Sequence, residues 1–503
     1  MMQFENVKQA LEKLEQLEAT TSAYNHAMGV LYLDACTAAP EDSAEGRGKT
    51  MGVLSSVMYG LIANPDNLEL ACWLLEHEDE LDAVQKRKAQ LLKKNCEQTA
   101  RIPQEEYVAY QVLLNEAESV WHKAKNENDF ASFAPLLEKL VAFNRKFAGY
   151  YNPDVPAYDA LLGEYEKGLT MQSLDVFFAQ LREALVPVIH AVGQKPQPED
   201  SFLFAHYPIE AQRAFSDYLM EVMGLVRNRC GIGETEHPFT TSFNNHDVRI
   251  TTHYYENDVC SSMFSVIHEG GHALYDMGGD DAYNGTLIAG GASMSIHESQ
   301  SRFYENIIGR SLAFIRLIFP KMQELFGEQL KGVTPEQMYV AVNKAQPSLI
   351  RIEADELTYA LHVMVRYEIE KQLIGGTLSV AELPAAWNAM MKEYLGVDVP
   401  DDAHGCLQDS HWAGGMFGYF PSYALGSAYG AQMKVVMEED LGNIDELVEH
   451  GEMEKVTAWL REHIHTHASL YDPIELFEMI CGKFDASYYT DYLTKKYSRL
   501  YNL

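Results

Sequence analysis

The run His268-Glu269-Gly270-Gly271-His272 sets two imidazoles four residues apart, with a carboxylate directly after the first. On a helix, residues i and i+4 share a face, so both rings can meet one cation while Glu269 reaches a water on the cation's open side. That is the chemistry of hydrolysis by a metal-activated water. A helix is expected, because Ser262-Met263-Phe264-Ser265-Val266-Ile267 leads into the motif as an apolar run of helical character. Two glycines after Glu269 are costly in a helix unless another element approaches closely there, and a surface helix with two solvated histidines does not account for them.

A catalytic zinc takes three protein ligands and leaves one position open, so a third donor is expected on a neighbouring element. Glu298, in His297-Glu298-Ser299-Gln300, follows the Gly290-Gly291 turn with enough chain to return on an antiparallel helix. The expected metal set is therefore His268, His272 and Glu298, one divalent ion per chain. Zinc is the first expectation; cobalt and manganese suit the same donors. Asp276, one turn after His272, is expected to accept the second imidazole N–H of that ring.

The elements that must position these groups are helical. Val7, Ala10, Leu11, Leu14 and Leu17 recur at spacings of three and four, and the same period returns over 68–81, 84–96, 105–125, 135–148, 171–192 and 209–224. The texture changes after Pro238. Thr240, Thr241 and Phe243, then Val248, Ile250, Thr251 and Thr252, give β-branched enrichment broken by Asn244-Asn245, which predicts a small hairpin. Helical spacing resumes at Met263, so the fold class is mostly α with one small hairpin or sheet beside the motif.

With 503 residues, 47% of them hydrophobic, the chain can bury a large core, which excludes disorder and fibrous repeats. Acidic residues number 73 against 39 basic, and the formal charge of −34 repels phosphate backbones and anionic lipid alike, so neither nucleic acid nor membrane is an expected partner. Charged or polar residues interrupt every apolar run before the roughly 18 residues of a membrane span. The seven cysteines are scattered without a CxxC pair, and Met1-Met2-Gln3-Phe4-Glu5 opens without a basic or apolar leader, so a cytoplasmic location is expected. His463, His465 and His467 lack a second acidic or cysteine donor at ligand spacing beyond Glu462 and are read as a solvated helix end.

Five further patches carry a resemblance. His237-Pro238-Phe239, Asp247-Val248-Arg249-Ile250-Thr251, His297-Glu298-Ser299-Gln300, the stretch from Ile350 to Leu357 and Gly405-Cys406-Leu407-Gln408-Asp409-Ser410-His411-Trp412 resemble, in order and spacing, the H-P-F, D-x-R-x-T, H-E-S-x, I-R-x-x-A-D-E-L and G-x-x-Q-D-x-H-W elements of the carboxypeptidase Taq family of HExxH metallocarboxypeptidases. The N-terminal half is weaker: where that family shows W-D-x-x-T-x-M-P, this chain reads Leu33-Asp34-Ala35-Cys36-Thr37-Ala38-Ala39-Pro40. The resemblance implies a large helical single-unit peptidase fold with a deep cleft, residues 1–503 forming one catalytic domain. Residues 1–235 would be a helical half covering the cleft and 236–503 the metal- and substrate-binding half. It also implies release of single C-terminal residues from peptides, with broad side-chain preference, and a homodimer.

The residues supply reasons for such an activity. A free C-terminal carboxylate is best met by a guanidinium fork, and Arg249 and Arg351 are the candidates. Asp247 and Thr251 share a strand face with Arg249, and Asp355 follows Arg351 at helical i+4 spacing. Gln408 is a further substrate-binding candidate. Glu269 would act as general base and then acid, while His411, Tyr419 and Tyr423, in a Gly-rich aromatic segment, are candidates for stabilising the oxyanion. An HExxH oligoendopeptidase, an aminopeptidase, or an inactive metal-dependent peptide-binding protein are the competing readings. The last should have lost Glu269, and an aminopeptidase needs acidic groups for a free amine.

Overall fold

The structure, a computed structural model, describes residues 4–503 apart from the side chain of Glu41, so the first three residues of the N-terminal reading lie outside the described residues. The helix Val259–Gly278 carries the His268–His272 motif and starts at Asp258, whose side chain accepts from the amides of Cys260 and Ser261. It is buried around most of its circumference, including Met263, Phe264, Val266, Ala273 and Leu274, which places it at the centre of the core. The short helix Met294–Arg302, capped by Ser293 on the Ile296 amide, carries Glu298 and packs against it.

Glycines set the distance between these helices. A Cβ on Gly271 would lie 2.7 Å from both the Gln300 carbonyl oxygen and Ser301 Cα, so the two backbones meet where no side chain fits. Gly270 faces Met223 and Leu225 in the same way, with Met223 Cε 2.7 Å from the position of its Cβ. The close approach inferred from the glycine pair is therefore present on both glycines. A third helix, Pro421–Leu441, meets the glutamate helix at Gly426, whose Cβ would lie 2.7 Å from Cβ and Cγ of Glu298.

Three strands, β1 (Cys230–Glu234), β2 (Thr240–Asn244) and β3 (Asp247–Thr252), form a sheet in the order β1-β3-β2. β2 and β3 are the expected hairpin, antiparallel with Thr240 opposite Ile250 and an irregularity between Ser242 and Asn244. β1, parallel to β3, goes beyond the sequence expectation. Its Cys-Gly-Ile-Gly-Glu pattern reads as a turn, yet Gly231 lies against the Arg249 side chain and Gly233 against Thr37. β3 packs on the motif helix and buries Val248 and Ile250.

The expected helices of the N-terminal half are present, as Val7–Thr37, Pro65–Glu76, Ala83–Arg101, Gln104–Glu127, Phe130–Tyr151, Met171–Gly193 and Ile209–Met223. By length and composition Met171–Gly193 could cross a membrane, more than the sequence reading allowed. In the fold its stripe of Leu174, Phe177, Phe178, Leu181, Leu185, Ile189 and Val192 is buried in the main core, and the helix packs against Ser487–Tyr501. That core runs from Leu113 to Tyr501, across residue 235 without a break. A second, small cluster of Ala10, Leu14, Leu70, Ala71, Leu74, Ala89, Leu92 and Cys96 holds the N-terminal helices together. The first helix touches the sheet through Tyr32 on Phe239, ring centroids 5.6 Å apart, and His26 on Phe243 at 4.8 Å. The helix Ala44–Ile62 buries only Met58, and its Gly46, Gly48, Gly52 and Gly60 have open space where a Cβ would sit.

These two glycine environments respond oppositely to a methyl group. Gly52→Ala is expected to stabilise by up to about 1 kcal/mol through helix propensity alone. Gly271→Ala gains the same propensity but must separate two backbones, and a net loss of about 1–3 kcal/mol is expected from urea unfolding midpoints.

Candidate active site

His268 Nε2 and His272 Nε2 lie 3.8 and 3.5 Å from Oε2 of Glu298, and one donor atom from each of the three falls within 4.8 Å of the others. No other His, Cys, Asp and Glu side chains among the described residues gather in this way. The far nitrogen of each ring is held. His268 Nδ1 is 2.8 Å from Glu305 Oε2, and because a carboxylate only accepts, the proton sits on Nδ1 and Nε2 turns its lone pair to the site. His272 Nδ1 is 2.7 Å from His297 Nδ1, and His297 Nε2 is 3.1 Å from Asp276 Oδ1. Asp276 Oδ1 accepts from His297 Nε2–H; with His297 neutral, its Nδ1 accepts from His272 Nδ1–H, and His272 Nε2 is again left with a lone pair. Two imidazole lone pairs and a carboxylate oxygen converging on one point fit a divalent cation. Asp276 thus reaches His272 through His297 rather than directly, since the His297 ring stands between them.

The carboxylates around this point are tightly managed. Burial works to raise the pKa of Glu298, but Arg302, His268 and His272 hold its carboxyl well below the usual carboxylate range. Arg302 Nε donates to Glu298 Oε1 at 2.7 Å and Nη1 to Glu305 Oε2 at 3.2 Å. Glu305 comes within reach of His268 because Phe303–Gly309 continues the glutamate helix as a π-helical turn. Glu269 is buried, and its Oε2 accepts from Thr240 Oγ1 on β2 at 2.6 Å.

Beyond the carboxylates stands a wall of guanidinium and aromatic groups. Arg302 stacks on Tyr359 at 4.2 Å, and the Tyr359 hydroxyl accepts from Arg351 Nη1 at 2.9 Å. Arg351 is buried, with Nε and Nη2 on Asp409 Oδ1 at 3.0 and 2.8 Å and its guanidinium 4.9 Å from the Tyr423 ring. The helical i+4 pairing with Asp355 does not occur: residues 351–353 form a single 3-10 turn, and Asp355 closes the turn before the helix Tyr359–Gly375 by accepting from the amides of Leu357 and Thr358. Tyr419 and Tyr423 pack edge to face at 5.2 Å, and His411 Nε2 lies 3.1 Å from the Tyr423 hydroxyl. Burial, beside Arg351 and Arg366, lowers the His411 pKa to about 3, so its ring is neutral.

The remaining substrate candidates separate. Gln408 Oε1 accepts from the Arg351 amide and Arg366 Nη2, while Nε2 donates to carbonyls of Leu349, His404 and Gly405. It is a strut with no free group for a ligand. Thr251 Oγ1 is likewise engaged by Thr235 and the Phe239 backbone. Asp247 and Arg249 form a two-point ion pair, with Nε and Nη2 each at 2.8 Å, and the guanidinium lies 4.9 Å from the Phe243 ring. The sequence reading missed Thr240, Arg302, Glu305 and Tyr359. Arg302 and Glu305 follow Glu298 at helical spacing, a signal open to it. The histidine cluster near the C-terminus also differs from expectation: His465 is buried, its Nε2–H donates to Gln300 Oε1 at 3.0 Å, and the ring packs on Gly278 at the end of the motif helix.

A profile described as the carboxypeptidase Taq (M32) metallopeptidase family matches residues 13–497. The chain belongs to that family. Carboxypeptidase 1 of Bacillus subtilis (strain 168) is 42% identical over 484 residues, which span 96% of this chain and 97% of that protein. Thermostable carboxypeptidase 1 of Thermus thermophilus is 36% identical over 98% of this chain and 99% of its own length. The crystal structure of the M32 carboxypeptidase from Deinococcus radiodurans R1 superposes with a TM-score of 0.96 at 34% identity, covering 98% of this chain and all (100%) of that one. The chain is accordingly an M32 metallocarboxypeptidase, a hydrolase of C-terminal peptide bonds. A divalent metal is implied by the family, and the donors at His268, His272 and Glu298 fit it.

The aromatic segment of this M32 chain is anchored from below by Glu370. Its carboxylate accepts from Trp412 Nε1, Tyr158 Oη and the Gly418 amide at 2.7, 2.7 and 2.8 Å, yet burial outweighs these donors and pushes its pKa up to about 7. A carboxyl raised in this way contributes stability that is full below its ordinary value of 4.5 and is lost as pH rises through about 7. Unfolding midpoints of the wild type are expected to fall more steeply between these pH values than those of Glu370→Gln.

Proposed function

We propose that the protein releases single C-terminal residues from peptides with a free carboxylate, using His268, His272 and Glu298 to hold one zinc ion. The observation that carries this reading is the convergence of His268 Nε2, His272 Nε2 and Glu298 Oε2 beside a buried Glu269. A divalent ion bound there supplies Lewis acidity, polarising the scissile carbonyl and acidifying water. Cobalt or manganese suits the donors as well, so zinc rests on the His, His, Glu composition of the set.

Glu269 takes the proton of the attacking water and returns it to the leaving amine. Thr240 holds Oε2 of that carboxylate, which keeps Oε1 for the proton in transit. Tyr423 and Tyr419 supply hydroxyl donors for the charge that grows on the carbonyl oxygen, and His411 acts through Tyr423. His411 and Tyr423 act together, because the hydrogen bond between them orients the hydroxyl.

Arg351 anchors the terminal carboxylate. Of a guanidinium's five N–H donors, Nε and one each on Nη1 and Nη2 are engaged by Asp409 and Tyr359, and the other two form an edge for a carboxylate. Arg249, with Asp247, serves further along the peptide on β3. A cytosolic setting is supported by the seven cysteines, all of them free. A homodimer completes the proposal.

One peptide presented free at both ends, N-blocked and C-amidated tests the reading in the zinc-loaded protein. Hydrolysis of the first two with residue-by-residue release from the C-terminus is expected, and Glu269→Gln should lose about 10²–10⁴-fold in kcat. Internal cleavage of the amidated peptide would instead make the protein an endopeptidase. A chelator should abolish turnover and added zinc restore it. Arg351→Met should raise KM for free peptides and leave zinc content unchanged.

A further inference from the structure

Arg302 donates to one metal ligand, Glu298, and to Glu305, the carboxylate that holds a second, His268. Its Nε donates to Glu298 Oε1 at 2.7 Å, and its Nη1 donates to Oε2 of Glu305, the oxygen that also receives the Nδ1 proton of His268 at 2.8 Å. The guanidinium carbon lies over the Tyr359 ring, 4.2 Å from its centroid, and 13% of the side-chain surface is exposed, so the group has little freedom. Glu298 therefore has two unequal oxygens. Oε1 is tied to Arg302, and Oε2, which also accepts from Ser301 Oγ at 3.1 Å, is the oxygen nearer to Nε2 of His272 and His268.

We infer that Arg302 is a positioning residue that sets metal affinity, by presenting Glu298 to the ion through Oε2 only and by fixing the Glu305 carboxylate that orients His268. The inference rests on the metal set proposed above and deepens it. Two effects of the side chain oppose each other. Its positive charge, beside a cation site, weakens binding by like-charge repulsion. Its two hydrogen bonds strengthen binding, because a carboxylate and an imidazole held in place lose no freedom when the ion arrives. Geometry is the larger of the two effects. Arginine is suited to this task and lysine is not, since only a planar fork reaches two carboxylates while lying on a ring.

Lysine at the same place separates charge from geometry. Zinc dissociation constants are measured by competition with a chromophoric chelator on wild type, Arg302→Lys and Arg302→Met, each first checked for native circular dichroism. Arg302→Lys keeps the charge, so its constant reports geometry; an increase of roughly 10–100-fold is expected, as for loss of other groups that orient metal ligands. Arg302→Met is expected to weaken zinc as well. The visible bands of the cobalt-loaded Lys variant should shift, as Glu298 is no longer confined to one oxygen, which a merely structural role would not produce. A constant for Arg302→Lys within twofold of wild type, or tighter binding by Arg302→Met, overturns the inference, the second by making charge the dominant effect. If Arg302→Met does not fold, Arg302→Lys alone decides. Failure of the wild type to bind zinc would instead sink the metal set itself, so the two failures are distinguishable.

Discussion

Two backbone contacts that tolerate no side chain govern the geometry of the whole site. At Gly271 the motif helix meets the Gln300–Ser301 backbone, and at Gly426 the helix Pro421–Leu441 closes on Glu298 itself. A helix held between such contacts has almost no freedom to slide or roll, and a carboxylate on it is located by backbone sterics before any ion arrives. The same crossings bring the rest of the machinery together, since Pro421–Leu441 also carries Tyr423, and the turn following Arg302 carries Glu305.

Electrostatics then completes what packing begins. Glu298, Glu305 and Asp409 are buried carboxylates, and each is held ionised by a guanidinium: Arg302 serves the first two, Arg351 and Arg366 the third. For these three ionised groups the cations buried beside them offset the cost of leaving water. The alternation Glu305, Arg302, Tyr359, Arg351, Asp409 forms a continuous line of hydrogen bonds and ring contacts from the metal donors to the proposed carboxylate anchor.

What the sequence revealed divides along the range of the interactions. The amphipathic stripes of Met171–Gly193 and Ile209–Met223 are local, and both helices are where their spacing predicts. His268, Glu269 and His272 lie within one turn, so their convergence was visible as a pattern, and the glycines between them already announced a close neighbour. Glu298 was recoverable because the connection over 279–293 is long enough to bring the chain back against that helix. The rest depends on contacts that no local rule encodes. Arg351 finds Asp409 instead of Asp355 because the chain around it turns rather than coils, and Thr240 meets Glu269 only once β2 lies against the motif helix. β1 was hidden by its two glycines, which weaken the pattern of a strand. His465 was read as solvated because nothing in its neighbourhood shows that Gly278 leaves a space for its ring.

The small N-terminal cluster has its own cohesion, separate from the core that holds the metal donors. Its helices meet the sheet through the ring contacts of Tyr32 and His26, and Ala44–Ile62 is almost free of buried side chains. Such a wall exchanges its amide hydrogens through openings of its own, at a fraction of the free energy that would expose Val266 or Ile267. The molecule is thus a rigid reaction centre beside a compliant flank.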